Sequence, residues 1–432
     1  MNPLHLNDRP GQYPPSWYAD TADIAPERPR LKGAHKYDLA ILGAGYTGLW
    51  AALTAARAGL SVAVVEAQRV GFGASGRNGG QVGSGYNKPQ SWLEAKLGAD
   101  KARALWDLAE GGKAQLRGFC EMQAPECAYR AGVVHAAYSA AETKAEHQDA
   151  AFLADRYGYK LDCLGPKAMQ ELVKSPSYQG GTFDRGAGHI HPLRYVLALA
   201  RAAEAAGVVI FERSEVHAIE RGKPAQLRTG QGHVSADHLI IAGNGYLPNI
   251  EGQISAYTMP INSFIAATEP LENWRDILAE DIAVADSKFV VNYFRFSEDK
   301  RFLFGGRESY SIGFPKDIST ALATRMQALF PQLANVKISH IWGGTLGITP
   351  SRLPHLARIS PNILSAAGFS GHGVALSGMA GRVMAEAVIG QASQFYTFSS
   401  LPVPRFPGGS MFRAPVLALA MSWFSLRDRI GI

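Results

Sequence analysis

Between residues 37 and 67 the apolar positions change period twice. Residues 37–42, apolar but for Asp38 and bounded by glycine, predict a buried strand; an alanine-rich helix follows, and 61–65 is a second largely apolar run ending at Glu66. Further on, 100–122 and 140–157 carry helical spacing, with a strand-like 128–137 between them. His191-Pro192-Leu193 opens an alanine-rich helix to 206, 208–220 reads as one strand or two, and 236–245 is a buried strand ending in glycines. Alternating aromatic positions between 257 and 310, clearest in 289–296 and 301–306, predict an antiparallel sheet, and 320–330 is helical. Finally, 363–367 reads as a strand running into Gly368-Phe369-Ser370-Gly371-His372-Gly373-Val374 and then a helix to 389.

The first strand-helix-strand unit carries Gly43-Ala44-Gly45-Tyr46-Thr47-Gly48 at its turn. Gly43 suits the tight turn, Gly45 lets backbone approach a pyrophosphate, and Gly48 lets helix and strand pack closely, while the helix N-terminus offers amides and positive dipole. Glu66, 18 positions after Gly48, suits the ribose hydroxyls of an adenosine and opposes a 2′-phosphate. Residues 71–85 hold seven glycines in fifteen positions. Such density marks backbone approaching a ligand, and Arg77, Asn78 and Gln81 add directed hydrogen bonding. The loop at 368–374 supplies a second set of helix N-terminal amides.

Composition narrows the partners. A chain of 432 residues suits two domains, and 43 basic against 37 acidic residues, dispersed along it, leave no nucleic-acid footprint. Cys120, Cys127 and Cys163 form neither a CxxC pair nor an even framework. A reducing, cytoplasmic setting without a bound metal is therefore expected. The N-terminal lead, 1–36, lacks the apolar core of a signal peptide and is expected to pack through Tyr13, Trp17 and Tyr18. The apolar stretch 411–423 is too short to span a bilayer; a docked helix within 409–432 is expected, with weak peripheral membrane contact as the alternative.

The motifs GFGASGRNGGQ (71–81), GHIHPL (188–193), AGNGYL (242–247), FSGHGV (369–374) and RFPGG (405–409) discriminate far better than the glycine triplet. On them the chain resembles the D-amino-acid oxidase and glycine/sarcosine oxidase superfamily of FAD-dependent oxidoreductases over nearly its whole length. The resemblance implies an α/β FAD-binding Rossmann-type domain from 37–90, 186–255 and 340–408, and an α+β substrate domain with a mainly antiparallel sheet from 91–185 and 256–339. It implies that Gly43, Ala44, Gly45, Tyr46, Thr47, Gly48, Glu66 and Ala67 hold the ADP part of FAD. Ala74, Ser75, Arg77, Asn78, Gly79, Gly80 and Gln81 would run beside the pyrophosphate, ribityl chain and flavin. Val216 would meet the adenine, and Ala242 and Gly243 would lie at the late strand turn. Gly371, His372, Gly373 and Val374 would face the pyrimidine edge, where a helix dipole stabilises the charge that accompanies reduction. Relatives with covalent flavin use a late cysteine or a histidine in the glycine loop; neither occurs here, so dissociable FAD is expected.

The implied reaction is oxidative deamination of an amine, with oxygen or another electron acceptor. It needs a neutral amine positioned over the flavin and exclusion of water, with no obligatory protein base. The resemblance points to gamma-glutamylputrescine or a close gamma-glutamylated polyamine, with glycine, sarcosine, pipecolate or a D-amino acid as the alternative and a non-catalytic FAD-binding protein as another. By the resemblance Arg352 matches a substrate-carboxylate arginine, for which a surface ion pair is the competing role. Tyr293 stands to line the flavin face or to join the sheet core. His189 and His191, two apart, suit either the pocket or local capping, and Arg307 stands to attract an anionic substrate.

Overall fold

The computed structural model describes residues 3–247, 250–309, 311 and 313–407, and within these the backbone but not the side chain of Arg307. Two sheets organise them. In the first, the strands run in the spatial order His355–Ser360, Ile363–Ala367, Gly232–Ile241, Gly33–Leu42, Val62–Val65, Val209–Phe211. All neighbours but the outermost His355–Ser360 pair in parallel, and the Val216–Glu220 and Ala225–Thr229 strands extend the sheet from Gly232–Ile241. Register does the work of bringing separate motifs together. Leu42 lies opposite both Val65 and Ile241, so the next residues, Gly43, Glu66 and Ala242, emerge side by side at the carboxyl edge, where open α/β sheets bind ligands.

Alternation explains why this sheet is stable only when covered on both faces. Leu39, Ile41, Val62 and Val64 join a core shared with the helices Tyr46–Arg57, Pro192–Ala205 and Leu376–Val388, whereas Ala40, Leu42, Ala63 and Val65 join the core on the opposite face. The second sheet runs Ile338–Ile348, Met259–Pro270, Arg301–Ser309, Tyr293–Phe296, Ala283–Asp286, Arg130–Ala137, Gly180–His189, Gln81–Val82, with Asp162–Leu164 on Gly180–His189. Only the pairing of Ala283–Asp286 with Arg130–Ala137 is parallel. Phe294, Phe296, Phe302 and Phe304 bury one face of this sheet with helix Ser319–Leu329.

Several elements differ from the sequence pattern for local reasons. The first strand begins at Gly33, because residues 33–36, which carry no apolar run, still pair with Gly232–Ser235. Strand structure within 289–296 starts only at Tyr293, since Asp286 and Asn292 fold the preceding residues into a loop. The division expected at 340 is crossed: Ile338–Ile348 pairs with Met259–Pro270 in the second sheet, as does Gln81–Val82 with Gly180–His189. Trp17 and Tyr18 of the N-terminal lead are buried and Tyr13 donates to the Val70 carbonyl. The expected helix within 409–432 and the stretch 411–423 lie outside the described residues, and no described helix is long and apolar enough to cross a membrane.

Candidate active site

Gly43 leaves the first strand at φ +101°, and a side chain there would put its first carbon 2.8 Å from the Ala242 carbonyl oxygen. Glycine meets both demands at once. At Gly48 the same carbon would lie 1.9 Å from the Gly43 carbonyl oxygen, so this glycine serves helix packing and does not line the cavity. Gly45 caps helix Tyr46–Arg57, whose first amide, Tyr46 N, donates to Ser75 Oγ at 3.1 Å. Glu66 is aimed by its own backbone surroundings: Oε2 accepts Ala44 N–H at 2.8 Å and Oε1 accepts Gln68 N–H at 2.9 Å. Burial raises its carboxyl above the usual range and Glu212 adds to the rise, while these donors oppose it.

The glycine-dense segment is a tightly pinned turn. Asn78 Nδ2 donates to the Ala74 and Ser75 carbonyls and its Oδ1 accepts Gly80 N–H, so its amide organises the loop itself. Gly80 lies outside the cavity wall at φ +78°, against the Ile190 carbonyl. Arg77, 4% exposed, donates to the Phe72 and Gly343 carbonyls and pairs with Asp8 at 2.7 Å. Its remaining Nη2 has no partner among the described residues and belongs to a side chain at the cavity wall. Two residues outside the motif complete the pinning: Arg295 donates to the Gly79 and Ile190 carbonyls, and Trp342 Nε1 donates to the Arg77 carbonyl. Gln81 lines the cavity and donates to the Val284 carbonyl of the second sheet.

A cavity of about 940 Å³ connects Glu66 and Val216 at one end with Gly371, His372, Gly373 and Val374 at the other, and includes Thr47, Ala67, Ala74, Ala242 and Gly243. Its size is at the top of the range of about 300–1,000 Å³ for small-molecule sites, as a dinucleotide sharing its cavity with a substrate requires. The late loop is braced by Gly368 N–H to Asn244 Oδ1 and Ser370 N–H to the Gly347 carbonyl. Gly373 and Val374 amides meet no backbone acceptor among the described residues and sit before helix Leu376–Val388. His372 bonds the Gly85 carbonyl at 3.2 Å, and burial lowers its pKa to about 4, with His135 adding to the fall. A neutral ring therefore stands beside those amides at pH 7. These free amides, the unpartnered Arg77 nitrogen and the aimed Glu66 carboxylate fit FAD along the whole cavity.

The substrate-side candidates separate. Tyr293 lines the cavity, on the face of its strand opposite Phe294 and Phe296; it packs over Gly79 and Gly305 and approaches Ser263 Oγ at 3.3 Å. Arg352 also lines the cavity, at φ +61°, with its guanidinium 4.3 Å over the Phe289 ring and Nη2 donating to the Phe289 carbonyl at 3.3 Å. Among the described residues no carboxylate pairs with it. His191 and His189 do not reach the cavity. His191 caps helix Pro192–Ala205 by accepting Arg194 N–H, bonds Thr21 Oγ1 and packs against Trp17 and Tyr18. His189 is buried in the second sheet near the Asp281 carbonyl, while His191, still extended at φ −84° and ψ 102°, is taken up by the cap and by Thr21, so the two rings meet different partners. The Arg307 side chain lies outside the described residues; its backbone pairs with Phe264. Sequence spacing gave no signal for His135, Asp286 and Phe289, which reach the cavity from separate segments of the second sheet and its loops.

Comparison with known proteins agrees with this geometry. The family model described as DAO, FAD dependent oxidoreductase, matches residues 38–387. The chain is 40% identical to the probable oxidoreductase OrdL of Rhizobium meliloti over 416 residues, 96% of this chain and 97% of the relative. It is 36% identical to gamma-glutamylputrescine oxidoreductase of Escherichia coli over 422 residues, 96% and 99% of the two chains. Among solved structures, glycine oxidase from Geobacillus kaustophilus superposes with TM-score 0.69 at 21% identity, covering 82% of this chain and 95% of that one. The aimed carboxylate, the pinned glycine loop and these matches lead to one conclusion: the chain belongs to the DAO family of FAD-dependent oxidoreductases, enzymes of amine and amino-acid oxidation.

Proposed function

We propose that the enzyme oxidatively deaminates gamma-glutamylputrescine or a close gamma-glutamylated polyamine. The observation that carries this reading is Arg352, a guanidinium at the cavity wall with a ring beneath it and no described carboxylate partner. An amine that also carries a carboxylate supplies the missing charge, and a planar guanidinium can take it through two parallel hydrogen bonds. The whole-length likeness to gamma-glutamylputrescine oxidoreductase supports the same amine.

Bound FAD supplies the hydride acceptor. Gly45, Glu66, Ser75 and Arg77 would hold its adenosine and pyrophosphate side, and the amides of Gly373 and Val374 would lie toward negative charge at the ring; Ala44, expected among these residues, is buried off the cavity wall with its N–H taken by Glu66. Arg352 orients the carboxylate end, while Tyr293, Phe289 and Val291 present apolar walls that exclude water from the chain joining it to the amine. In balance, the primary amine, water and oxygen give the aldehyde, ammonia and hydrogen peroxide; another acceptor takes two electrons in place of oxygen. A cytoplasmic location belongs to this reading.

The test is anaerobic mixing of the yellow protein with gamma-glutamylputrescine, glycine, sarcosine and pipecolate, followed by admission of air. Rapid bleaching by gamma-glutamylputrescine alone is expected, and its failure to bleach the flavin removes the proposal. Peroxide on reoxidation identifies oxygen as the acceptor.

A further inference from the structure

The Arg352 guanidinium rests on a part of the chain that is not regular structure. Phe289, which offers it both ring and carbonyl, lies in the loop between strands Ala283–Asp286 and Tyr293–Phe296. The loop is closed at its base by one buried carboxylate. Asp286 Oδ1 accepts Lys288 N–H at 3.2 Å and Asn292 N–H at 2.9 Å; Oδ2 accepts Asn292 Nδ2 at 2.6 Å and Tyr138 OH at 2.7 Å. Asp286 N–H donates in turn to the Asn292 carbonyl at 3.0 Å. Beyond the base, Ser287 N–H donates to the Ala136 carbonyl and Arg325 to the Val290 carbonyl. Asp286 and Asn292 are 7% and 4% exposed, and Asp286, Phe289, Val291 and Arg352 all border the cavity.

We propose that Asp286, with Tyr138 and Asn292, is a positioning unit for the substrate carboxylate: it clamps the 287–291 loop so that Phe289 holds the Arg352 guanidinium at the cavity wall. The inference rests on the reading of Arg352 given above. A carboxylate that accepts five hydrogen bonds, the fifth from Tyr178 OH at 3.4 Å, has no free geometry left for binding substrate itself, and its removal frees both ends of the loop together. Arg352 then retains its charge but loses its platform. Discrimination falls between amines that carry a carboxylate and amines that do not.

The experiment compares wild type, Asp286→Ala, Tyr138→Phe, Arg352→Ala and the Asp286→Ala/Arg352→Ala double variant as holoenzymes. Each is assayed with gamma-glutamylputrescine and with an N-acylputrescine lacking the glutamyl carboxylate and amine. The readout is the ratio of the two kcat/KM values. In Asp286→Ala the ratio is expected to fall about tenfold, chiefly through KM for the carboxylate substrate. Tyr138→Phe, which deletes one hydroxyl and keeps the ring, moves it the same way by about threefold and serves if the alanine variant does not fold. The double variant is expected to match Arg352→Ala, because the clamp acts through that residue. Equal losses with both substrates, an unchanged ratio, or additive losses in the double variant overturn the clamp. If Arg352→Ala itself leaves the ratio unchanged, the carboxylate reading of Arg352 fails and the clamp with it; if that variant shifts the ratio and neither clamp variant does, only the clamp fails.

Discussion

Replacing Glu66 by Gln exchanges one carboxylate oxygen for an amide NH₂ at a place where both oxygens accept a backbone N–H. Whichever way the new amide turns, a donor faces either Ala44 N–H or Gln68 N–H, so the substitution is not conservative here. A hydrogen bond to a charged group contributes about 1.5–3 kcal/mol, and every 1.4 kcal/mol is about a factor of ten in affinity. Loss of one charged acceptor toward the ribose therefore weakens FAD binding roughly 10- to 150-fold. The assay is fluorescence titration of the apoprotein with FAD and, in parallel, with FMN, which has no adenosine to meet Glu66. The FAD affinity is expected to fall by that factor while the FMN affinity moves by less than about threefold. FAD binding within threefold of wild type, or an equal loss for FMN, refutes the assignment of Glu66 to the adenosine ribose.

The remaining predictions concern packing, charge and attachment. Gly48→Ala drives a methyl carbon to 1.9 Å from the Gly43 carbonyl oxygen; overpacking of this kind costs about 1–3 kcal/mol or more, and a flavin-to-protein absorbance ratio well below wild type is expected. Burial raises the Glu146 carboxyl from 4.5 to about 7, so the folded state holds a proton that the unfolded chain releases first, and this contribution to stability is lost as pH rises through that window. Glu146→Gln should melt higher than wild type near pH 8 and alike near pH 4 in thermal scans; a constant difference across that range contradicts the reasoning. Cys120 and Cys127 are buried in the core, Cys163 is exposed on its strand, and none of the three lines the cavity. Acid precipitation should therefore release the flavin completely, and a fluorescent protein band on a denaturing gel would count against dissociable FAD.

The cofactor end of the site was legible because its constraints are local. Gly43, Gly45, Gly48 and Glu66 fall within one strand-helix-strand unit, whose spacing in the chain dictates their spacing in space. The substrate end was not, because Asp286, Phe289 and Arg352 meet only through the second sheet and the loops between its strands. His189 and His191 show the limit of period-two reasoning: both sit in extended backbone, yet His191 caps the following helix and His189 bonds within the second sheet, so neither lines the cavity. Arg295 carried no motif at all, yet its guanidinium is what ties the Gly79 and Ile190 carbonyls together.

One glycine outside the cavity wall sets a length. Helices Tyr46–Arg57 and Leu376–Val388 begin at opposite stretches of the cavity, one at the pyrophosphate turn and the other at the late loop. They touch at Gly381, where an added carbon would lie 2.1 Å from the Thr47 carbonyl oxygen. Backbone therefore bears on backbone, with no side chain between to compress or change rotamer. The spacing between the two amide cradles is thereby gauged like the jaws of a fixed calliper, and a dinucleotide of a different span has no soft contact to yield to it.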